Sequence, residues 1–250
     1  MPVAALTTLD ALIEHFDRDQ YLETLLTCAN KRTDRDTLLK IYNRFFRRDG
    51  DKGEISDMKG NGMDSEDLGQ IMQYKLSRGK WRPRLQQLIE SNDGSEVRRV
   101  TLAALSDAAA DDRDSLTMQE LQRKMTGLCV LKAVGPATAS LILSVFYDSA
   151  PFFSDEFAAF HPTKDGAKLK YTLKEYTDLV ERHRSWLGEQ QESGVTRSQP
   201  LTSRDVEEMI WYHSRTAATD APTTQEKPST RKRGITGRSV EESPKKTRRI

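Results

Sequence analysis

Apolar residues recur three and four positions apart along most of this chain, the spacing of one face of an α-helix, and no stretch alternates as a half-buried strand would. Leu6 to Phe16 and Tyr21 to Ala29 read as short amphipathic helices joined around Asp17-Arg18-Asp19. Thr33-Asp34-Arg35-Asp36 opens a third, a capping side chain followed by acids that suit its positive end; its buried side holds Leu38, Leu39, Ile41, Tyr42, Phe45 and Phe46. The glycine- and charge-rich run from Asp49 to Gly62 reads as a loop. Asp64 or Ser65 then caps a helix through Leu68, Ile71, Met72 and Leu76 that stops at Gly79, and Pro83 starts another. Ser95 to Ala110 and Ser115 to Met125 continue the pattern. After a loop at Pro162 to Gly166, Leu173 to Trp186 and Ser203 to Trp211 complete it. From Ala217 almost nothing apolar remains, so residues 217–250 are expected to be a disordered basic tail. The pattern predicts an all-α fold, a multi-helix bundle over residues 1–216.

The centre of this pattern is Gly127 to Phe160, within which Leu128 and Leu131 share a helical face and Gly135-Pro136 marks a new helix start. The result is a helix, a tight apolar turn and a second helix over about 120–147, continued by the apolar run Ser140 to Phe146. At such a turn the free N–H groups of the second helix point outward, and its dipole adds partial positive charge, which suits a phosphate. The groups in question are the backbone N–H groups of Val134, Gly135 and Ala137, with the Thr138 hydroxyl beside them. An ordinary interhelical turn of a bundle would also contain glycine and proline.

Leu131-Lys132-Ala133-Val134-Gly135-Pro136-Ala137-Thr138-Ala139, with Asp155 downstream, resembles the helix-hairpin-helix DNA glycosylase superfamily. There a Leu-Pro-Gly-Val-Gly-x-x-Thr-Ala hairpin is followed, at a matching offset, by an aspartate near the start of the next helix that faces an extruded nucleotide. The resemblance covers residues 125–160 and otherwise extends only to general helical character. It implies duplex DNA as partner and Asp155 as catalytic group. Bifunctional members carry a nucleophilic lysine two places after the second hairpin glycine. Here that position is Ala137, so the resemblance implies a monofunctional enzyme. Lys132 and Ala133 replace the family's proline and first glycine; a turn needing positive φ at residue 133 would strain alanine by roughly 1 kcal/mol.

Chemistry gives Asp155 a task in that setting, because positive charge builds on a sugar as its base leaves, and a carboxylate can stabilise it and direct water. The plainer reading is a first-turn acid of a helix capped by Ser154, with Glu156 a second such acid. Tyr74 to Arg84 combines Lys75, Arg78, Lys80, Arg82 and Arg84 with Tyr74 and Trp81. Lys80, Arg82 and Arg84 suit phosphate contacts, and Trp81 suits stacking on a base or wedging into a duplex. The alternative is a cation-rich helix end with Trp81 packed inside. Phe152 and Phe153 are either walls of a base pocket or core.

Composition refines the picture. Charged residues are 31% of the chain and its mean hydropathy is −0.70, so a soluble protein is expected, with no membrane span or secretory leader. From Ala218 onward Lys and Arg number nine against four acids, leaving 30 against 34 in residues 1–217. A mildly acidic body does not bind DNA by overall charge, so a local basic face is required. Cys28 and Cys129 lie in apolar helical patterns and suit a reducing compartment; neither they nor the four scattered histidines have metal-site spacing, and no cofactor is expected. Arg231-Lys232-Arg233 and Lys245-Lys246-Thr247-Arg248-Arg249 in the tail suit a nuclear import receptor, which places the expected monomer in the nucleus. Two functions remain open: a monofunctional DNA N-glycosylase acting on a damaged or mismatched base, or a non-catalytic DNA- or protein-binding module of the same fold.

Overall fold

A computed structural model of the chain describes residues 8–28, 33–47, 52–106, 116–162, 168–193 and 201–219. The expected tail beyond Thr219, the end of the predicted Ser95–Ala110 helix and most of the predicted Pro162–Gly166 loop lie outside them. Every described residue belongs to one compact unit and, among them, the regular structure is entirely helical. In chain order the helices are α1 (Leu9–Glu14), α2 (Arg18–Cys28), α3 (Arg35–Ile41), α4 (Lys52–Asn61), α5 (Ser65–Arg78) and α6 (Pro83–Glu90). They continue as α7 (Gly94–Leu105), α8 (Met118–Leu128), α9 (Pro136–Phe146), α10 (Asp155–Phe160), α11 (Leu173–Ser193) and α12 (Ser203–Thr219). None of the described helices is long and apolar enough to cross a membrane.

Many helix starts carry a capping side chain, although α3 takes Asp34 in place of the expected Thr33. Asp34 caps α3 and Asp64 caps α5, the latter in a reciprocal box with Asp67. Thr117 and Glu120 form the same box at α8, and Asp93 accepts from Ser95 and Glu96 at α7. Two boundaries are corrected. The expected loop 49–62 contains α4, whose Ile55 and Met58 are buried three apart; its glycines and charges conceal a packing face that tertiary burial rewards. Gly62 ends it at φ +75°, where a Cβ would lie 2.4 Å from the Arg98 carbonyl oxygen. At the other end, α12 runs to Thr219, past the expected start of the tail.

Two helices form the interior. In α9 every residue from Thr138 to Phe146 is buried, and its polar members there are only the hydroxyls of Thr138, Ser140 and Ser144, each hydrogen-bonded; it packs on α4, α5 and α8. The other is α12, buried from Ser203 to His213 although it holds Arg204, Asp205, Glu207 and Glu208. Those charges are paired. Arg78 makes a two-pronged ion pair with Glu207 at 3.0 and 2.8 Å, Arg18 contacts Glu208, and Arg204 donates to the Ser144 carbonyl at 3.2 Å. Removing one member of such a buried pair typically costs about 3–5 kcal/mol.

Candidate functional site

The α8–α9 turn is built by local constraints. Val134 N–H donates to the Leu131 carbonyl, and Ala133 is left-handed at φ +62°. The turn thus needs the positive φ that alanine resists, and the conformation is held from outside. Asn92, after α6, accepts from Lys132 N–H at 2.8 Å and donates to the Lys132 carbonyl at 3.1 Å, while the Thr138 hydroxyl donates to the Ala133 carbonyl at 3.3 Å. Beyond the turn Pro136 occupies the first position of α9. No acceptor among the described residues takes the N–H groups of Gly135 or Ala137. Gly135 has φ −92° and ψ −178°, and a Cβ there would meet nothing within 4 Å. The approach to these donors is open.

They face a cavity of about 770 Å³, within the range of small-ligand sites. Its wall brings together Gly135, Ala137, Thr138, Asp155, Lys80 and Arg82, which come from three separate parts of the sequence. Phe152 and Phe153 are both core residues and both line it. Val134, Trp81 and Arg84 sit elsewhere. Val134 is buried with its N–H occupied, so it is not a phosphate donor. Trp81 packs against the core instead of standing in the cavity, since its indole gains more from burial than from solvent. Arg84 is exposed on the first turn of α6, outside the lining. The Thr138 hydroxyl is committed to the turn and to Lys75, which corrects its expected part in phosphate contact.

Asp155 opens α10 behind the cap Ser154, whose Oγ accepts from Phe157 N–H at 3.2 Å and donates to Glu207 at 2.7 Å. Glu207 in turn holds Arg78, the last residue of α5, so one buried network fixes the start of α10 relative to the Lys80–Arg82 segment. Phe153 N–H donates to Ser140 Oγ at 2.9 Å and ties the same approach to α9. The exposed Asp155 carboxylate accepts from the Tyr171 hydroxyl. Tyr171 stands at φ +58°, an uncommon conformation for a side chain of this size, with its ring 5.1 Å from that of Phe153. Glu156 is paired with Arg215, which also donates to the Arg78 carbonyl at 3.1 Å.

Lys75, Lys170, Tyr171 and Arg215 belong to the lining but not to the sequence-derived site, and Cys28, expected inside an apolar pattern, is exposed at the same wall. Lys75 is the informative one. Its Nζ donates to Thr138 Oγ1 at 2.7 Å, and it makes no ion pair among the described residues. Burial and the neighbouring Arg82 guanidinium pull its ammonium down to about 8, against the opposing attraction of Asp155. With Arg78 and Arg215 neutralised by Glu207 and Glu156, the remaining lining charges are four cations, Lys75, Lys80, Arg82 and Lys170, against Asp155. A mildly acidic body therefore presents a locally basic cavity.

Comparisons with models of known families, with curated proteins and with solved structures returned no match.

Proposed function

We propose that the protein is a helix-hairpin-helix nucleic-acid-binding protein that takes one nucleotide of a DNA duplex into this cavity and hydrolyses its N-glycosidic bond. The supporting observation is the convergence of Asp155, the open N–H groups of Gly135 and Ala137, and the cations Lys80 and Arg82 on one cavity. In this reading the turn and the cations hold the backbone while the base is extruded between aromatic walls. Asp155, oriented by Tyr171, stabilises the positive sugar as the base departs and directs water to it. The base is a damaged or mismatched one, and the work is done in the nucleus after import through the basic tail. A non-catalytic DNA-binding module is the second reading, favoured by an Asp155 carboxylate that already accepts a hydrogen bond from Tyr171.

The test is a panel of duplexes each bearing one damaged or mismatched base, comparing wild type with Asp155→Asn. Base release by wild type and a loss of at least about a hundredfold in the variant, with binding retained, supports catalysis. Tight binding without release from any duplex supports the second reading. Failure to bind any duplex at low salt removes both.

A further inference from the structure

We infer that Lys75 is an amine nucleophile, and that the cavity captures an aldehyde bearing a phosphate group as an imine on its Nζ. The inference does not rest on the nucleic-acid reading, because it concerns the amine and its immediate surroundings. A lysine side chain at the end of a helix ordinarily reaches water or a carboxylate. Lys75 instead turns inward from the last turn of α5 to one neutral oxygen, Thr138 Oγ1 at 2.7 Å, with no counterion among the described residues. An ammonium held without a counterion is disfavoured, and the neutral amine is the nucleophilic form. Its pKa near 8, set by burial and Arg82, leaves a substantial neutral fraction at mildly basic pH.

The surroundings define the ligand class. Arg82 and Lys80 line the same cavity, and the unoccupied N–H groups of Gly135 and Ala137 open onto it, so a phosphate has charge and directional donors. The rings of Phe152, Phe153 and Tyr171 supply an apolar wall for the body of the molecule. Lys75 lines the same cavity, so a phosphate held there brings the body of the molecule to the wall that carries Nζ. The nitrogen lone pair adds to the aldehyde carbon and the carbonyl π pair moves to oxygen. The carbinolamine then loses its oxygen together with the two nitrogen protons as water, leaving the C=N bond. No oxidant, reductant or metal is consumed.

The experiment uses the full chain and pyridoxal 5′-phosphate as the probe, at substoichiometric concentration near pH 8, followed by sodium borohydride and peptide mass mapping. Lys75 is expected to carry the reduced adduct at least about tenfold faster than the exposed Lys80 and Lys170. Excess inorganic phosphate should slow labelling of Lys75 and spare exposed lysines outside the cavity, such as Lys174, and pyridoxal without its phosphate should label Lys75 more slowly. Lys75→Arg keeps the charge and should abolish the preferred adduct; Arg82→Ala retains the amine and should reduce its labelling. Thermal melts of both variants verify the fold. Label spread evenly over surface lysines, or a Lys75 adduct indifferent to phosphate in wild type, overturns the proposal, and both readouts are independent of any variant's folding.

Discussion

Two residues of the α8–α9 turn make opposite demands on their side chains. At Gly135 the backbone is ordinary and the space around a Cβ is empty, so substitution is tolerated by the fold and felt only by what approaches the turn. Gly135→Asp puts a carboxylate before the open N–H groups and should weaken duplex binding at least tenfold, about 1.4 kcal/mol, as read by a low-salt titration of a variant with unchanged melting. Unchanged binding would remove the turn from the interface. Ala133 is the reverse case. Its φ of +62° strains any residue with a Cβ, so Ala133→Gly should raise stability by up to about 1 kcal/mol, net of the greater unfolded-state freedom of glycine. Chemical denaturation measures this directly, and a destabilised variant would mean that the clamp from Asn92 and Thr138 already relieves the strain.

At the scale of elements, the segment between α5 and α6 carries two of the cations of the proposed DNA contact. Gly79 ends α5 and Pro83 begins α6, leaving Lys80, Trp81 and Arg82 between them. The indole of Trp81 turns to the core and anchors the segment, and the two cations stay at the cavity. Each lost phosphate contact lowers the slope of log K against log salt by about 0.9. Lys80→Ala with Arg82→Ala should therefore flatten the slope for duplex DNA by about 1.8, and Arg84→Ala, which lies outside the lining, should change it less. A slope unaffected by the double substitution would make these residues a solvated helix end.

For the whole molecule, the separation of a helical body from a basic tail sets the proposed location. Helix α12 reaches Thr219, and both basic clusters fall beyond it. Ending the chain at Thr219 should leave thermal unfolding of the body unchanged and move a fluorescent fusion, too large for passive diffusion, from nucleus to cytoplasm. Nuclear accumulation of the shortened fusion would exclude the tail as the import signal. The body's own charge bears on the same question of partners, since its acidic excess coexists with a cavity whose unpaired lining is basic. Net charge alone is a poor guide to what such a protein binds.

Most helices other than α4, the caps Asp64 and Ser154 and the α8–α9 turn were legible in the amino-acid order, because hydrophobic period, capping oxygens and Gly-Pro are local signals that need no partner to be read. Asp155, Gly135, Ala137, Lys80 and Arg82, singled out in the sequence by a family resemblance and by residue type, line one cavity. The place of Lys75 there was not legible, since a lysine four residues before a helix stop looks solvated until α9 is packed against it and Thr138 receives its amine. Nor was the buried relay from Arg78 through Glu207 to Ser154, which joins residues 129 and 53 positions apart and exists only once α5, α10 and α12 meet. Trp81 shows the converse: an aromatic among cations looks like a binding residue in sequence, and only the competition between solvent and a nearby core assigns it to packing. Local chemistry determines what each segment can become, whereas burial and counterion supply, which alter a side chain's charge and reactivity, depend on residues far away in the chain.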